Sequence, residues 1–378
     1  MIGSNEFLLS NPAIPSLLYS ELEGEVRDGV KNVLDKRSSW PATLERTETE
    51  NTVDADLWRS LAVDVGLVGL AVPESGGGGG GASWREVAVV LEELGRRCAA
   101  VPFLGHAVTA TALLVEIGDR DLLERAASGD VTVALAVPAN SLAWHLPKLN
   151  TTVEDGKVSG SVRSASDAVT AQILLVPVAG DLYAVDASAV SITPALSLDM
   201  TRQLADIEFV SAPATLVASE VSAALGHALA ISSALLASEQ LGLAEEALQI
   251  TVEYLKERRQ FGRVLGSYQA LKHRLADLWV EITNARAVAR YAVACAAEDS
   301  DDLEIASALA HSLCSRVAVK AAEECVQLHG GIGFTWEHPA HLLLKRAKSS
   351  ALMFGGSDRH RERLGSLVGI SGGSEVAR

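Results

Sequence analysis

The periodicity of the chain changes twice, and that change limits the folds open to it most. Between about residues 129 and 212 the runs VTVALAVP, TTVEDGKVSGSV, AQILLVPV, DLYAVD and RQLADIEFV are short, rich in β-formers and split by turn signals. They predict a mainly antiparallel sheet of roughly 85 residues, with Asp155-Gly156 as a hairpin turn. Before them, LLYSELEGEVRDGVKNVL, DLWRSLAVDVGL and SWREVAVVLEELGRRCA carry apolar residues at helical spacing. After about Pro213 helical stripes return: Leu241, Leu248, Val252 and Leu255 share one, and Leu271, Leu275, Leu278 and Ile282 another. A long helix then ends at a glycine pair, Gly330-Gly331. The predicted class is α+β in three domains: helices over 1–128, a sheet over 129–212 and a helical bundle over 213–378. There is no internal repeat.

Composition narrows the function classes. At 378 residues and 48% hydrophobic content, with a mean hydropathy of +0.20, the chain can build a large core. Aromatics are only 4%, so that core is mostly Ala, Leu and Val. A formal charge of −16 argues against a nucleic-acid binder and against docking on an anionic membrane. Cys98, Cys295, Cys314 and Cys325 show neither CxxC pairing nor metal-ligand spacing, which points to free thiols in a reducing cytoplasm. The start MIGSNEFLLSNPAIP lacks the basic region and apolar core of a signal peptide. The uncharged runs Cys98 to Val115 and Val221 to Ser238 approach the length of a membrane span. Both are broken by His and small polar residues, so buried helices are predicted instead. The six glycines Gly76 to Gly81 read as a flexible surface loop. No Lys-Ser or Lys-Thr follows them to make a phosphate cradle. The tail SGGSEVAR is expected to be frayed.

Two clusters carry candidate chemistry. In ERRQFGRVLGSYQALKHRLAD, Arg258, Arg259 and Phe261 close one helix and Gln269 opens the next. A guanidinium fork suits a pyrophosphate, an aromatic ring suits a flat heterocycle or ribose, and Gln269 can both donate and accept at a purine edge. The same residues also suit a plain helix end, with cations complementing the dipole and a Phe plug. In QLHGGIGFTWEHP, Gly330, Gly331 and Gly333 follow a helix end and can expose backbone N–H groups to a ligand, or form an ordinary cap. His329 and His338 read as polar packing or surface residues.

Together these motifs resemble the acyl-CoA dehydrogenase family. ERRQFG with a glutamine eight residues after the Phe is similar to that family's flavin-contact joint. QLHGGIGFTWEHP is similar to its Q-x-x-G-G-x-G-aromatic…E-x-P loop, and GLVGLAVPESGGGGGG…VAVVLEELGRR to its N-terminal signature. The resemblance covers nearly the whole chain. It implies an N-terminal helical domain, a middle sheet and a C-terminal four-helix bundle. It also implies FAD bound between subunits, with Arg259, Phe261, Gln269, Gln327, Gly330 and Gly331 holding the nucleotide end of an FAD seated in a neighbour.

The chain departs from the family where the chemistry lies. The reaction removes an α-proton to a carboxylate while the β-hydride goes to the flavin, so the base needs a raised pKa. Against the family's Y-E-G-T stretch, MFGGSDRH puts Phe354 on the Tyr, Gly355 on the glutamate and Ser357 on the Thr. A glycine accepts no proton, although its N–H can still polarise a thioester carbonyl. The alternative base position, on the first bundle helix, falls on Ser232. On the ring side, Ala136, Val137 and Pro138 replace T-E-P, and Ser164 falls near the expected Trp. The asymmetry implies a non-catalytic subunit of a heteromeric enzyme, like actinobacterial α2β2 assemblies acting on steroid side-chain acyl-CoA thioesters. Its partners would be a homologous catalytic subunit, an acyl-CoA at the shared site and an electron-transfer flavoprotein as acceptor. Three rivals stay open: a self-sufficient homotetramer with Glu239 as a displaced base, a nitroalkane-oxidising member using Asp358, and a non-enzymatic DNA-associated member.

Overall fold

The computed structural model describes residues 15–146 and 148–370; the start and the SGGSEVAR tail lie outside the described residues, apart from Pro15. Helix α1 (Glu21–Arg37) begins with a capping box, in which the Ser20 hydroxyl accepts from Glu23 N–H at 3.1 Å and the Glu23 carboxylate accepts from Ser20 N–H. Helices α2 (Trp40–Thr47) and α3 (Ala55–Arg59) follow, the latter running into a π-turn over Ser60–Asp64. A short α4 (Glu74–Gly77) precedes α5 (Trp84–Arg96), which is buried along most of its length and opens with a second capping box, Ser83 with Glu86. A wholly buried π-helix, Leu104–Ala110, leads into α6 (Thr111–Ile117) and then α7 (Arg120–Ala127).

The glycine run corrects the sequence expectation of a flexible loop. Glu74–Gly77 is helical and Gly78 caps it in the left-handed region. The rest lies flat on the preceding turn: Gly80, Gly81 and Ala82 N–H donate to the carbonyls of Gly69, Val72 and Leu70 at 2.8–3.0 Å. A Cβ at Gly79 would overlap Val72, so a glycine there allows backbone to approach backbone.

The middle sheet has seven strands: β1 (Val133–Leu135), β2 (Asn150–Glu154), β3 (Lys157–Ser166), β4 (Ile173–Val178), β5 (Asp181–Asp186), β6 (Ser191–Pro194) and β7 (Leu204–Ala218). Its order is β1-β4-β5-β7-β3-β2, with β6 also on β7. Only β1–β4 is parallel, and Asp155-Gly156 closes the β2–β3 hairpin with both φ angles positive (48° and 72°). The strand does not end near Pro213. β7 passes through that residue and changes partner around it, from β3 (Lys157 opposite Pro213) to β5 (Ala184 opposite Thr215). At a change of partner the N–H that proline lacks is least missed.

Among the described residues five helices follow the sheet: α8 (Ser222–Glu257) leads into a two-strand hairpin, β8 (Arg259–Gln260) and β9 (Arg263–Val264), and α9 (Gln269–Ala297), α10 (Leu303–His329), α11 (Ala340–Ser350) and α12 (Ser357–Leu367) come after it. The middle of α8 is buried on nearly all sides from Ala228 to Ala244. It crosses α5 at a pair of glycines: a Cβ at Gly242 would strike the Glu92 carbonyl, and one at Gly95 the Glu239 carbonyl. That contact sets the N-terminal helices against the C-terminal ones. The first uncharged run is helical only from Phe103 on and the second is continuously buried only from Ala228 on, and no helix among the described residues is long and apolar enough to cross a membrane.

Candidate active site

The predicted nucleotide-binding residues meet at one end of the C-terminal helices. The joint after α8 is the β8–β9 hairpin, whose two turn residues, Phe261 and Gly262, both have positive φ (53° and 79°). A bulky residue in that region is strained. The ring plugs nothing in this chain, because Phe261 is 87% exposed. Arg259 stands beside it on an exposed strand, and Gln269 is the exposed first residue of α9. Gln327 is exposed in the last turn of α10, and Gly330 (φ 61°) and Gly331 follow. A Cβ at either glycine would meet nothing within 4 Å, so this backbone is open to a ligand.

An aromatic stack joins the two halves. Tyr254, one turn before the end of α8, lies against His329 at the end of α10, with ring centroids 4.5 Å apart and 27° between planes. His329 is buried and its other neighbour is His338, at 4.3 Å. Phe334 (87% exposed), Trp336 and Ile332 extend the patch outward.

The base position is different in kind. Gly355 is buried, with φ of 95°. A Cβ there would lie far inside the 3.0 Å limit of real contacts from Leu142 Cδ2. The surrounding backbone is tied down. Phe354 N–H donates to Ala139 O at 2.8 Å, and His311 Nε2 lies 2.7 Å from both the Met353 and Gly355 carbonyls, which fixes its proton there. His360 Nε2 donates to Phe354 O at 2.9 Å, and its ring meets His311 edge-on at 4.2 Å and Trp144 at 5.0 Å. Burial pushes the His311 imidazole down; burial and then His311 push His360 to about 3. Both are neutral near pH 7 and too weakly basic to hold a proton taken from carbon.

No other predicted group replaces the missing base. Ser232 is fully buried, donating to Ala228 O at 2.7 Å and paired with the Thr109 hydroxyl at 2.9 Å. Glu239 is buried between Arg202 and Arg346 (3.1 Å), with the Ser350 hydroxyl also donating to it at 3.1 Å. Burial alone would raise its pKa, but the two guanidiniums outweigh that and hold it at about 2. It is a structural anion, the opposite of a base poised near neutrality. Asp358 is exposed in the first turn of α12. Asp167 is a buried acid that sequence reading passed over, raised to about 6 by burial against the opposing pull of Arg202. Its carboxylate accepts Gly105 N–H at 2.9 Å, so it joins the sheet to the π-helix.

The ring side offers two spaces. Beneath Phe354 lies a small cavity of about 20 Å³, lined by Leu104, Val137, Pro138, Ser166, Leu229 and Met353 among others. Ser166 Oγ is buried there without a partner among the described residues. Such a cavity holds about one water, not a three-ring heterocycle. Outside it, an open, largely apolar groove of about 530 Å³ runs past Ala139, Ser164, Leu198 and Met353. Its cations are already engaged, Arg163 with Asp206 and Lys348 with Glu323. The exposed residues thus suit a nucleotide in their chemistry, whereas the cavity is too small for a flavin ring. Among the described residues no cluster of His, Cys, Asp and Glu is placed to hold a metal.

Comparison with known proteins gives the family. A family model for the N-terminal domain of acyl-CoA dehydrogenases matches residues 20–130, and one for the C-terminal domain matches residues 223–368. The chain belongs to the acyl-CoA dehydrogenase family. It is 34% identical over 347 residues to acyl-CoA dehydrogenase IpdE2 of Mycolicibacterium smegmatis, covering 91% of this chain and 98% of that protein. Two solved structures are also similar. A chain of the ChsE4–ChsE5 complex from Mycobacterium tuberculosis is 26% identical with a TM-score of 0.83, covering 95% of this chain and 100% of that one. A chain of a Tcur3481–Tcur3483 steroid ACAD variant is 29% identical with a TM-score of 0.81, covering 92% and 98%.

Proposed function

We propose that this chain is the non-catalytic subunit of a heteromeric, FAD-dependent acyl-CoA dehydrogenase, completing the FAD site of a homologous catalytic partner in an α2β2 assembly. One observation carries the reading: every predicted nucleotide-binding residue stands exposed on an outer face, while both base positions lack an acid and one is filled by a leucine. Bound FAD supplies the acceptor for the substrate's β-hydride. This chain's part is to bind and orient. The Arg259 fork donates to pyrophosphate oxygens, Phe261 covers a flat face, Gln269 and Gln327 offer amide hydrogen bonds, and Gly330–Gly331 present bare backbone. Acyl-CoA binds at the shared site, the partner supplies the carboxylate, and an electron-transfer flavoprotein takes the electrons, all in the cytoplasm. The ChsE4–ChsE5 and Tcur3481–Tcur3483 likenesses favour a two-chain assembly, and the latter, a steroid ACAD, favours steroid side-chain CoA esters as substrates.

The test is to purify the chain alone and with a homologous partner. We expect little flavin and no turnover from the lone chain, and both from the pair. Full flavin occupancy with acyl-CoA turnover by the lone chain would overturn the reading.

A further inference from the structure

We infer that the joint between α8 and α9 is an electrostatic docking surface for an acidic face of the partner subunit, with more positive charge than holding a nucleotide requires. The inference rests on the reading above for which chain the joint faces.

The charge of the chain is unevenly spread. Residues 256–274 hold six Lys and Arg and one acid, Glu257, a net +5, so the rest of the chain carries −21. Lys256 stands in the last turn of α8, Arg258 just past it, Arg259 and Arg263 on the hairpin, and Lys272 and Arg274 in the first two turns of α9. All six are exposed. Because α8 and α9 pack side by side across the hairpin, the six cations share one end of the helix pair.

The fold does not use up this charge. Arg274 pairs with Glu324 at 2.7 Å, but Lys256, Arg258, Arg259, Arg263 and Lys272 have no carboxylate partner within 4 Å among the described residues. Arg27, Arg85, Arg96 and Arg286, by contrast, are all ion-paired. The Arg263 guanidinium lies over the Tyr268 ring, 3.7 Å from its centroid, which orients it and leaves its charge unanswered. Position points the same way. Lys256 and Arg258 suit the C-terminal end of α8, but Lys272 and Arg274 stand at the N-terminus of α9, where the helix dipole disfavours cations. That first turn has neither an acid nor a side-chain cap. A charge placed against the local preference of its helix is expected where the surface serves a partner. The pyrophosphate of an FAD answers a pair of these guanidiniums at most. The remaining cations need carboxylates on the protein that brings it. On a chain otherwise so acidic, such an island selects the face that an acidic protein can approach, and it acts mainly on the rate of encounter.

The test is the association rate of this chain with its catalytic partner, by biolayer interferometry at about 50 and about 300 mM NaCl. The wild-type on-rate is expected to fall roughly tenfold between the two. The triple variant Lys256→Gln, Arg263→Gln, Lys272→Gln leaves Arg259 and the other nucleotide-binding residues untouched. It should associate about tenfold more slowly at low salt, respond little to salt and keep its off-rate. A wild-type on-rate indifferent to salt, or a triple variant as fast as wild type, would sink the inference. A control triple on α1 and α7, Lys31→Gln, Lys36→Gln, Arg120→Gln, makes the same change in net charge and should stay near the wild-type rate. An equal loss there would trace the effect to net charge and count against this surface. Lys272→Glu tests the lone chain without a partner: it should raise Tm by about a degree as the dipole conflict is relieved, and a fall would show that the lysine serves the fold. Retention of the lone chain on duplex DNA at physiological salt would assign the island to nucleic acid instead. Full flavin and turnover by the lone chain would remove the subunit reading, whereas normal pairing with a salt-indifferent on-rate would remove this inference alone.

Discussion

The tip of Leu142 lies where the first side-chain atoms of a residue at 355 would go, although 213 positions separate the two in sequence. Any side chain at residue 355 would have to move that leucine tip and hold φ near 95°. Gly355→Glu should leave the lone chain without dehydrogenase activity and should destabilise it by about 1–3 kcal/mol, the cost of a non-glycine residue at φ 95°. Chemical denaturation and an acyl-CoA-dependent dye-reduction assay check both parts. Measurable turnover from this single variant would contradict the packing described.

The clasp is predicted to act through geometry as well as charge. Arg259→Ala in the assembled pair should weaken FAD retention roughly 10- to 100-fold, the loss of charge-assisted hydrogen bonds worth about 1.5–3 kcal/mol. Arg259→Lys should recover only part of this, because a lysine keeps the charge but lacks the fork. Because the residue is exposed in the lone chain, neither variant should move that chain's melting temperature. Fluorescence titration of released flavin against FAD concentration measures the effect.

Much of this was legible in the sequence because it was local. Helical stripes, the Asp155-Gly156 turn and the glycine pair after α10 are short-range patterns, and they fold as their spacing says. That a glycine stands where the family's glutamate is expected could be read because residue 355 sits within a contiguous motif. The neighbour of that glycine could not: Leu142 lies in a loop with no periodicity, and only the tertiary fold brings it there. The glycine run misled for a related reason, since glycine's freedom marks a loop equally well whether the backbone is mobile or pressed against Gly69 and Val72. Pro213 reads as a strand end only if each strand keeps a single partner throughout, and β7 changes partner at that residue.

Glu239 should govern the acid limit of stability. Its folded pKa of about 2 lies below the ordinary 4.5, so it binds protons less readily when folded. Its contribution is therefore present above about pH 4.5 and is lost as pH falls towards 2, a swing of about 3 kcal/mol. Glu239→Gln should remove much of that acid limb and cost about 3–5 kcal/mol at neutral pH, because Arg202 and Arg346 stay buried without their shared anion. Stability measured against pH for wild type and variant tests both statements. If Glu239 were instead a catalytic base, the variant would lose turnover while keeping its stability.

Tyr254 should position the clasp without touching the nucleotide. It stacks on His329, and that contact sets the Arg259 hairpin beside the Gly330–Gly331 loop. Aromatic pairs of this kind contribute about 0.5–1.5 kcal/mol beyond the area they bury. Tyr254→Ala should therefore loosen FAD binding in the pair by roughly 3- to 10-fold, while Tyr254→Phe, which keeps the ring, should bind as wild type does. The rescue separates positioning from hydrogen bonding: if Tyr254→Phe fell as far as Tyr254→Ala, the phenol hydroxyl rather than the stack would be the active group. A double variant with Arg259→Ala adds a second check. If the stack works only by placing that arginine, Tyr254→Ala should have little further effect once the guanidinium is gone.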